Sequence, residues 1–338
     1  MNSPLCLIFT KNISNLDLLK YHSDFVNYLE SQEFKREPEN LYAPIDYILQ
    51  LGGKRIRPIL TLIACDIFTG DYKKALPAAL AVETFHNFTL VHDDIMDDAP
   101  LRRGKETVHE KWDINTGILS GDAMLILAYQ YFENYTPKVF QKLAKLFSKT
   151  ALEVCDGQQL DVDFETRNNV SIDEYLKMIS LKTSVLVAAA LKMGAIIAET
   201  DEEQANHLYD FGLNLGIAFQ LQDDYLDTFG NPETFGKQVG GDIIENKKTF
   251  LYIKALEIAK ESDKKELETF FSKKLKDNSA KIEAVTRIFK GNNIPELIQE
   301  RIEYYTNKSF ESLVHLKISN KDKEGLKLFG NNLMNRKV

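Results

Sequence analysis

Thr89-Leu90-Val91-His92-Asp93-Asp94-Ile95-Met96-Asp97-Asp98-Ala99-Pro100-Leu101-Arg102-Arg103-Gly104 is the stretch on which the reading of this chain turns. Four aspartates fall within six residues, directly after an apolar run of helical period. Asp93 and Asp97 are four apart, so on a helix they share one face, where like charges repel. A divalent cation would relieve that repulsion. Mg²⁺ takes a few carboxylate oxygens, keeps several waters and often completes its shell with substrate phosphate oxygens. Arg102 and Arg103 follow closely, and a guanidinium fork suits diphosphate oxygens. The stretch therefore reads as a metal–diphosphate site, although a lone acidic cluster is as often a solvated helix end.

A second copy changes the odds. Gln220-Leu221-Gln222-Asp223-Asp224-Tyr225-Leu226-Asp227 repeats the Asp-Asp-x-x-Asp spacing, again after an apolar helical run. Two such motifs on separate helices could face each other across a cleft and share several metal ions. Coincidence explains such a pair poorly.

Bulk properties narrow the class. The chain has 338 residues, 44% of them hydrophobic, and a formal net charge of −8. An acidic protein of pI about 5.4 is a poor nucleic-acid binder. If it binds an anionic diphosphate, it needs metal ions and clustered lysine and arginine. Cys6, Cys65 and Cys155 are widely spaced and fit neither a disulfide framework nor a zinc site. The apolar run Leu5 to Phe9 lacks the flanks of a signal peptide. No stretch is read as a membrane span, and a soluble cytoplasmic protein is expected.

Taken in order, residues 1 to about 16 read as an extension. A helix is expected from Leu18 to Phe34, with Pro38 and Pro44 interrupting before a short helix around Ile45–Leu51. Gly52-Gly53-Lys54-Arg55-Ile56-Arg57-Pro58 follows. Pro58 fits the first turn of the next helix. Lys54 and Arg57 beside that helix start are either an anion pocket or solvated charges after a glycine cap. The next helix, from Pro77 into the first aspartates, carries Val82, Phe85, Phe88 and Thr89, with His86 among them. A histidine there is usually structural, but His86 is two turns from Asp93 and so close to any diphosphate site.

Further helices are expected over Thr116–Tyr135 and from Pro137 to about Phe164. Ser171-Ile172-Asp173-Glu174 is a capping box opening one long helix to Ala198. Lys182 in that apolar helix either snorkels to solvent or points into a polar cleft. Asp201 caps the helix that leads to the second aspartates and ends at Gly230. Gly236-Lys237 and Asp242 with Lys247 follow, as phosphate contacts or surface charges. Four or five amphipathic helices complete an all-α chain, one domain with its site in the bundle core.

In family order, these elements resemble the trans-isoprenyl diphosphate synthases, or polyprenyl synthetases. They are Gly52-Gly53-Lys54-x-x-Arg57-Pro58, Asp-Asp-x-x-Asp through Arg102-Arg103-Gly104, and Gly157-Gln158-x-x-Asp161. Lys182-Thr183, Gln220-x-x-Asp223-Asp224-x-x-Asp227, Gly236-Lys237 and Asp242 with Lys247 complete the set. Asn246 stands where many members have glycine. The resemblance implies the isoprenoid synthase helical bundle, with a central active-site cavity in residues 17–338 and an extension over 1–16. It implies an allylic diphosphate held through three Mg²⁺ by Asp93, Asp97 and Asp223, with Asp94, Asp224 and Asp227 close by. Arg102, Lys182, Thr183, Gln220, Lys237 and Lys247 would contact that diphosphate. Isopentenyl diphosphate would take Lys54, Arg57, His86 and Arg103. A homodimer is also implied.

The expected product is geranylgeranyl diphosphate (C20), with farnesyl diphosphate (C15) the runner-up. A tail growing back along the helix would meet Phe88, Thr89 and Phe85, although aromatics at helical spacing are usually core. Three rivals differ in stated ways. A terpene cyclase would carry an Asn/Ser/Glu metal motif in place of the second aspartate motif. A head-to-head synthase would lack the Gly-Gly-Lys-x-x-Arg element. A non-catalytic regulatory subunit would have lost one aspartate motif, and both stand here.

Overall fold

The computed structural model describes residues 16–230, 239–272 and 278–335. The expected extension, apart from Leu16, lies outside the described residues, as do Gly236 and Lys237. The chain divides into two compact units. One comprises the chain up to Ser148 with Ala189–Leu208 and Lys317–Asp322. The other comprises Lys149–Ala188, Tyr209–Leu316 and the chain from Lys323 on.

The first unit is built around helix Leu76–Met96. Its run Ala78-Ala79-Leu80-Ala81-Val82 is wholly buried, so the helix is central rather than amphipathic. Helices Leu18–Glu30, Glu39–Gln50, Ile56–Thr69 and Ile114–Gln130 belong to the same unit. Asp17 caps the first of these by accepting from the Lys20 amide at 3.0 Å, and Asp113 caps the last through the Thr116 amide at 2.9 Å. Helix Ile114–Gln130 lies close against the central one at Gly121, where a Cβ would come within 2.2 Å of His92 Nε2. The first helix stops at Glu30, short of the expected Phe34. Pro44 does not interrupt: it lies inside helix Glu39–Gln50, which begins directly after Pro38. Pro44, Ile45, Ile48 and Leu49 are all buried there, and that apolar burial offsets the hydrogen bond that proline cannot donate.

The one pair of strands among the described residues is a hairpin just beyond the first aspartates. Leu101–Arg102 pairs antiparallel with Lys105–Glu106. Arg103 and Gly104 form its turn with φ of 53° and 74°, the double left-handed geometry of a type I′ turn.

The second unit has a core of Tyr175, Met178, Ile217, Leu221, Phe250, Leu251, Ile253, Phe289, Ile298 and their neighbours. Its capping box forms as expected, with Ser171 and Glu174 bonding reciprocally. The expected single helix to Ala198 is interrupted. Helix Ile172–Ile179 widens into a π turn over Ser180–Ser184 before helix Val185–Ile197. Such insertions mark functional positions, and this one contains Lys182 and Thr183. Among the described residues five helices follow after residue 249: Phe250–Ile258, Glu261–Phe271, Asn278–Gly291, Ile294–Val314 and Asn320–Met334.

The expectation of no span-like stretch needs correction. Ile172–Ile197 is long and apolar enough to cross a membrane by length and composition. Yet 67% of its most apolar window is buried within the protein, which is how a core helix of a soluble protein behaves.

Candidate active site

In the first unit the Gly52-Gly53 turn is left-handed at both residues, and Arg55 takes φ 48° at the start of helix Ile56–Thr69. A buried ion pair accounts for that strained residue. The Arg55 guanidinium bonds Glu83 Oε1 of the central helix and the Leu49 carbonyl, with both charged side chains 3% exposed. Asn87 Nδ2 donates to Glu83 Oε1 at 3.1 Å and to its carbonyl at 2.8 Å. Buried charges persist only when paired and hydrogen-bonded, so this network fixes the loop that carries Lys54 and Arg57. Sequence reasoning passed over Arg55 and Glu83. The signal was readable: a glutamate stands inside the apolar run Ala78–Phe85.

Arg57 Nη1 lies 3.2 Å from His86 Nε2. Arginine can only donate, so His86 accepts through Nε2 and carries its proton on Nδ1. Desolvation, and then the charges of Arg57, Arg103 and Arg102, hold His86 well below the usual histidine range. Arg103 Nη1 donates to the Gly52 carbonyl, and its guanidinium stands 3.0 Å from where a Gly53 Cβ would be. Lys54, Arg57, His86 and Arg103 are thus gathered by one glycine turn and one helix face.

The first aspartates end the central helix, with Asp97 as its C-terminal cap. Asp93 is half-buried and Asp97 exposed. Asp94 faces the other way. It is 1% exposed and accepts from Arg102 Nε at 2.8 Å to both oxygens and from Nη2 at 2.6 Å. The structure therefore pairs Asp94 with Arg102, a bidentate bond that locks the hairpin onto the helix end. Two turns upstream of Asp93, Phe85 is buried, with its ring 5.0 Å from Phe147 and 5.5 Å from Phe88. Tyr129 and Phe132 close on Phe147 as well. Phe88 is half-buried, as is Thr89, whose hydroxyl is turned to the His86 carbonyl at 2.8 Å.

In the second unit a cavity is lined by Asp161, Tyr175, Lys182, Thr183, Gln220, Asp224, Asp242 and Lys247, with Phe164, Met178 and Ile179 as its apolar wall. Lys182 Nζ reaches Asp161 at 2.6 Å, so it points into the cleft. Its backbone is pinched by two glycines. A Cβ on Gly157 would lie 2.2 Å from the Lys182 nitrogen, and one on Gly216 would lie 2.8 Å from Ser184 Cα. Those glycines let the helices close on the π turn, which turns Lys182 and Thr183 toward Gln220 (Thr183 Oγ1 to Gln220 Oε1, 3.4 Å).

The carboxylates of this cavity crowd one another. Asp224, 4% exposed, accepts from the Tyr175 hydroxyl and from Gln220 Nε2 at 3.2 Å. Burial, and then the charge of Asp242, pushes its carboxyl well above the usual range. Burial and the charge of Asp227 push Asp242 up to about 7, with Lys247 opposing. The Asp242 amide in turn donates to Asp227 Oδ2 at 3.0 Å. Oxygen donors crowded beyond what neutral hydrogen bonds satisfy suit a hard divalent cation. Asn246, the departure noted from sequence, takes φ 61°. That is the region glycine supplies freely and asparagine tolerates, and its Oδ1 accepts from the buried Lys281.

An all-α fold holding a carboxylate cavity with its own lysines, and a separate arginine cluster on a glycine turn, defines a diphosphate-handling helical enzyme. The chain belongs to the polyprenyl synthetase family, whose model, described as "Polyprenyl synthetase", matches residues 38–288, and it is a prenyltransferase. It is 35% identical to the geranylgeranyl diphosphate synthase of Saccharolobus solfataricus, over 92% of this chain and 96% of that protein. A crystal structure of a geranylgeranyl pyrophosphate synthase superposes with TM-score 0.91 at 53% identity, covering 95% of this chain and 99% of that one. The geranylgeranyl pyrophosphate synthase of Corynebacterium glutamicum, crystallised with isoprenyl diphosphate and magnesium, gives 0.84 at 25% identity, over 95% and 99%.

Proposed function

We propose that this chain joins isopentenyl diphosphate head to tail (1′-4) to allylic diphosphates and releases geranylgeranyl diphosphate. The observation that carries this reading is the cavity in which Lys182, Thr183, Gln220 and Lys247 meet Asp224 and Asp242. Anion contacts and cation ligands side by side suit a metal-bridged diphosphate. Asp93, Asp97 and Asp223 would hold Mg²⁺, three ions per site, with Asp94, Asp224 and Asp227 supporting them. When bound, Mg²⁺ neutralises the negative charge that builds on the leaving diphosphate.

The chain's own groups do the rest. Lys182, Thr183, Gln220, Arg102, Lys237 and Lys247 grip the allylic diphosphate and stabilise charge as its carbon–oxygen bond breaks. Lys54, Arg57 and Arg103 hold isopentenyl diphosphate, while neutral His86 orients Arg57. The isopentenyl double bond attacks the allylic carbon, and the departing diphosphate takes the released proton. Apolar walls keep water from the carbocation. Phe88, backed by Phe85 with Thr89 beside it, stops the tail. The names of relatives that match nearly the whole chain support the C20 length.

The same reading takes residues 17–338 as one catalytic domain after an N-terminal extension, in the cytoplasm. It pairs the chain with a second copy. Ile114, Ile118, Leu119 and Ile126, exposed by 40–60% on one helix, are the kind of apolar patch a twofold partner covers. Incubation with isopentenyl and allylic diphosphates and Mg²⁺, read by mass spectrometry, tests the activity. A C20 diphosphate that disappears on chelation is expected. A C15 end product would overturn the chain length, a hydrocarbon would point to a cyclase, and no turnover would reject the proposal.

A further inference from the structure

Asp98 is the fourth aspartate of the opening cluster, but neither it nor His109 nor Glu110 holds a diphosphate or Mg²⁺ in the site proposed above. Asp98 stands at the start of the loop beyond the central helix, with φ 50°. His109 and Glu110 lie in the short helix Val108–Lys111 at the loop's far end. Folding brings them together: one ligating atom from each lies within 4.8 Å of the others.

His109 makes this more than a surface cluster. Its side chain is 5% exposed, yet neither ring nitrogen has a hydrogen-bond partner. The nearest charged atom, Glu110 Oε1, is 3.7 Å from Nε2, too far for a hydrogen bond. The adjoining Thr107 hydroxyl is also buried without a partner. Buried imidazoles are normally satisfied, so an orphaned imidazole with one ring nitrogen within reach of two carboxylates asks for a ligand. A cation supplies one partner to all three groups at once.

The donor set selects the ion. Mg²⁺ prefers oxygen alone, whereas one imidazole with two carboxylates suits Zn²⁺ and neighbouring first-row divalent ions. Ligand atoms on a tetrahedral Zn²⁺ lie about 3.3 Å apart, given metal–ligand distances of about 2.0 Å. Asp98 and Glu110 are exposed and can rotate through the small remaining distance.

We propose that Asp98, His109 and Glu110 form a transition-metal site, separate from the aspartate motifs, that ties together the two ends of the hairpin carrying Arg102 and Arg103. Asp98 enters the loop two residues before its first turn at Pro100, and His109 leaves it two residues after Thr107, whose amide donates to the Pro100 carbonyl at 3.2 Å. A cation bound there closes the loop at its base, beside the Asp94–Arg102 bond that holds its middle.

The test is equilibrium dialysis of the metal-free full chain against Zn²⁺ without diphosphate. Trp112, the chain's single tryptophan and three residues from His109, serves as a fluorescence reporter for Co²⁺. Wild type should take up one Zn²⁺ per chain, and Co²⁺ should quench Trp112. Asp98→Asn and Glu110→Gln, both at exposed positions, should each weaken binding about tenfold or more, and His109→Gln should abolish it. A triple variant, Asp93→Asn, Asp97→Asn and Asp223→Asn, should keep the uptake. Uptake lost in that triple variant, unchanged in Asp98→Asn and Glu110→Gln, or absent from wild type would overturn the site. None of these readouts depends on prenyl transfer, so failure here leaves the activity proposal untouched.

Discussion

The two Asp-Asp-x-x-Asp segments have the same spacing and opposite electrostatics. In the first, the middle aspartate is answered by the protein itself: Asp94 is buried under a bidentate bond from Arg102. In the second, the equivalent Asp224 is held by two neutral donors, Tyr175 and Gln220, with Asp242 adding a further carboxylate. One segment spends a carboxylate to position an arginine. The other concentrates negative charge that a bound cation would balance. A repeated motif therefore does not mean a repeated role, and each of its residues must be judged by its neighbours.

The largest expected effect falls on both segments alike. Asp93→Ala and Asp223→Ala should each cut turnover about a thousandfold or more, several kcal/mol of transition-state stabilisation, with circular dichroism unchanged. Near-normal kcat in either variant would separate the two segments completely, leaving one without a metal role.

The next effect belongs to the second segment's surroundings. Gly157→Ala drives a methyl group into the Lys182 backbone. It should cost about a hundredfold in kcat/KM, because misplacement by about an ångström is that expensive. It should leave the KM for isopentenyl diphosphate alone. Wild-type kinetics would mean that the π turn does not depend on that close approach.

A smaller effect is one of pH. Asp242 keeps its proton up to about 7, and a cation must displace it. Apparent Mg²⁺–diphosphate affinity, followed by calorimetry, should fall as pH drops through 7, by up to about tenfold per unit. Stability without metal runs the opposite way. A raised carboxyl contributes fully below its ordinary 3.8 and loses that contribution as pH rises through about 7. Asp242→Asn should flatten both dependences, and a profile unaltered by it would remove Asp242 from the second cluster.

The smallest effect on rate is expected at Phe88. Phe88→Ala should lengthen the product by one or more five-carbon units with little change in turnover. An unchanged product spectrum would show that the ring pair at Phe85 and Phe88 is core alone.

Much of this was legible in the sequence. Helical period, proline and glycine punctuation and the Ser171–Glu174 box gave the helices, because those signals are local. The aspartates and Lys182 could be picked out as charges in apolar company, and Lys54 and Arg57 as basic residues beside a glycine pair and a helix start. What escaped reading depends on partners beyond the local helix. Nothing near Asp94 reveals that Arg102 folds back onto it, and nothing near Asp224 announces Tyr175, 49 residues away. The π turn at Ser180–Ser184 was invisible because the glycines packed close against it, Gly157 and Gly216, lie on other helices. Glu83 was the exception. A lone acid in an apolar run needs a buried partner, and Arg55 was the nearby basic residue overlooked.

The most direct test of unequal aspartate roles compares two isosteric variants in metal-free buffer. Asp94→Asn breaks the charge pair with Arg102 and should lower stability by about 1.5–3 kcal/mol, read as an earlier denaturant midpoint. Asp224→Asn keeps an acceptor for Tyr175 and removes a carboxyl whose charged form burial disfavours, so its midpoint should equal or exceed that of wild type while Mg²⁺-dependent turnover falls. A destabilised Asp224→Asn beside an undisturbed Asp94→Asn would contradict the assignment of the charge-paired role to Asp94 and the cation-demanding role to Asp224.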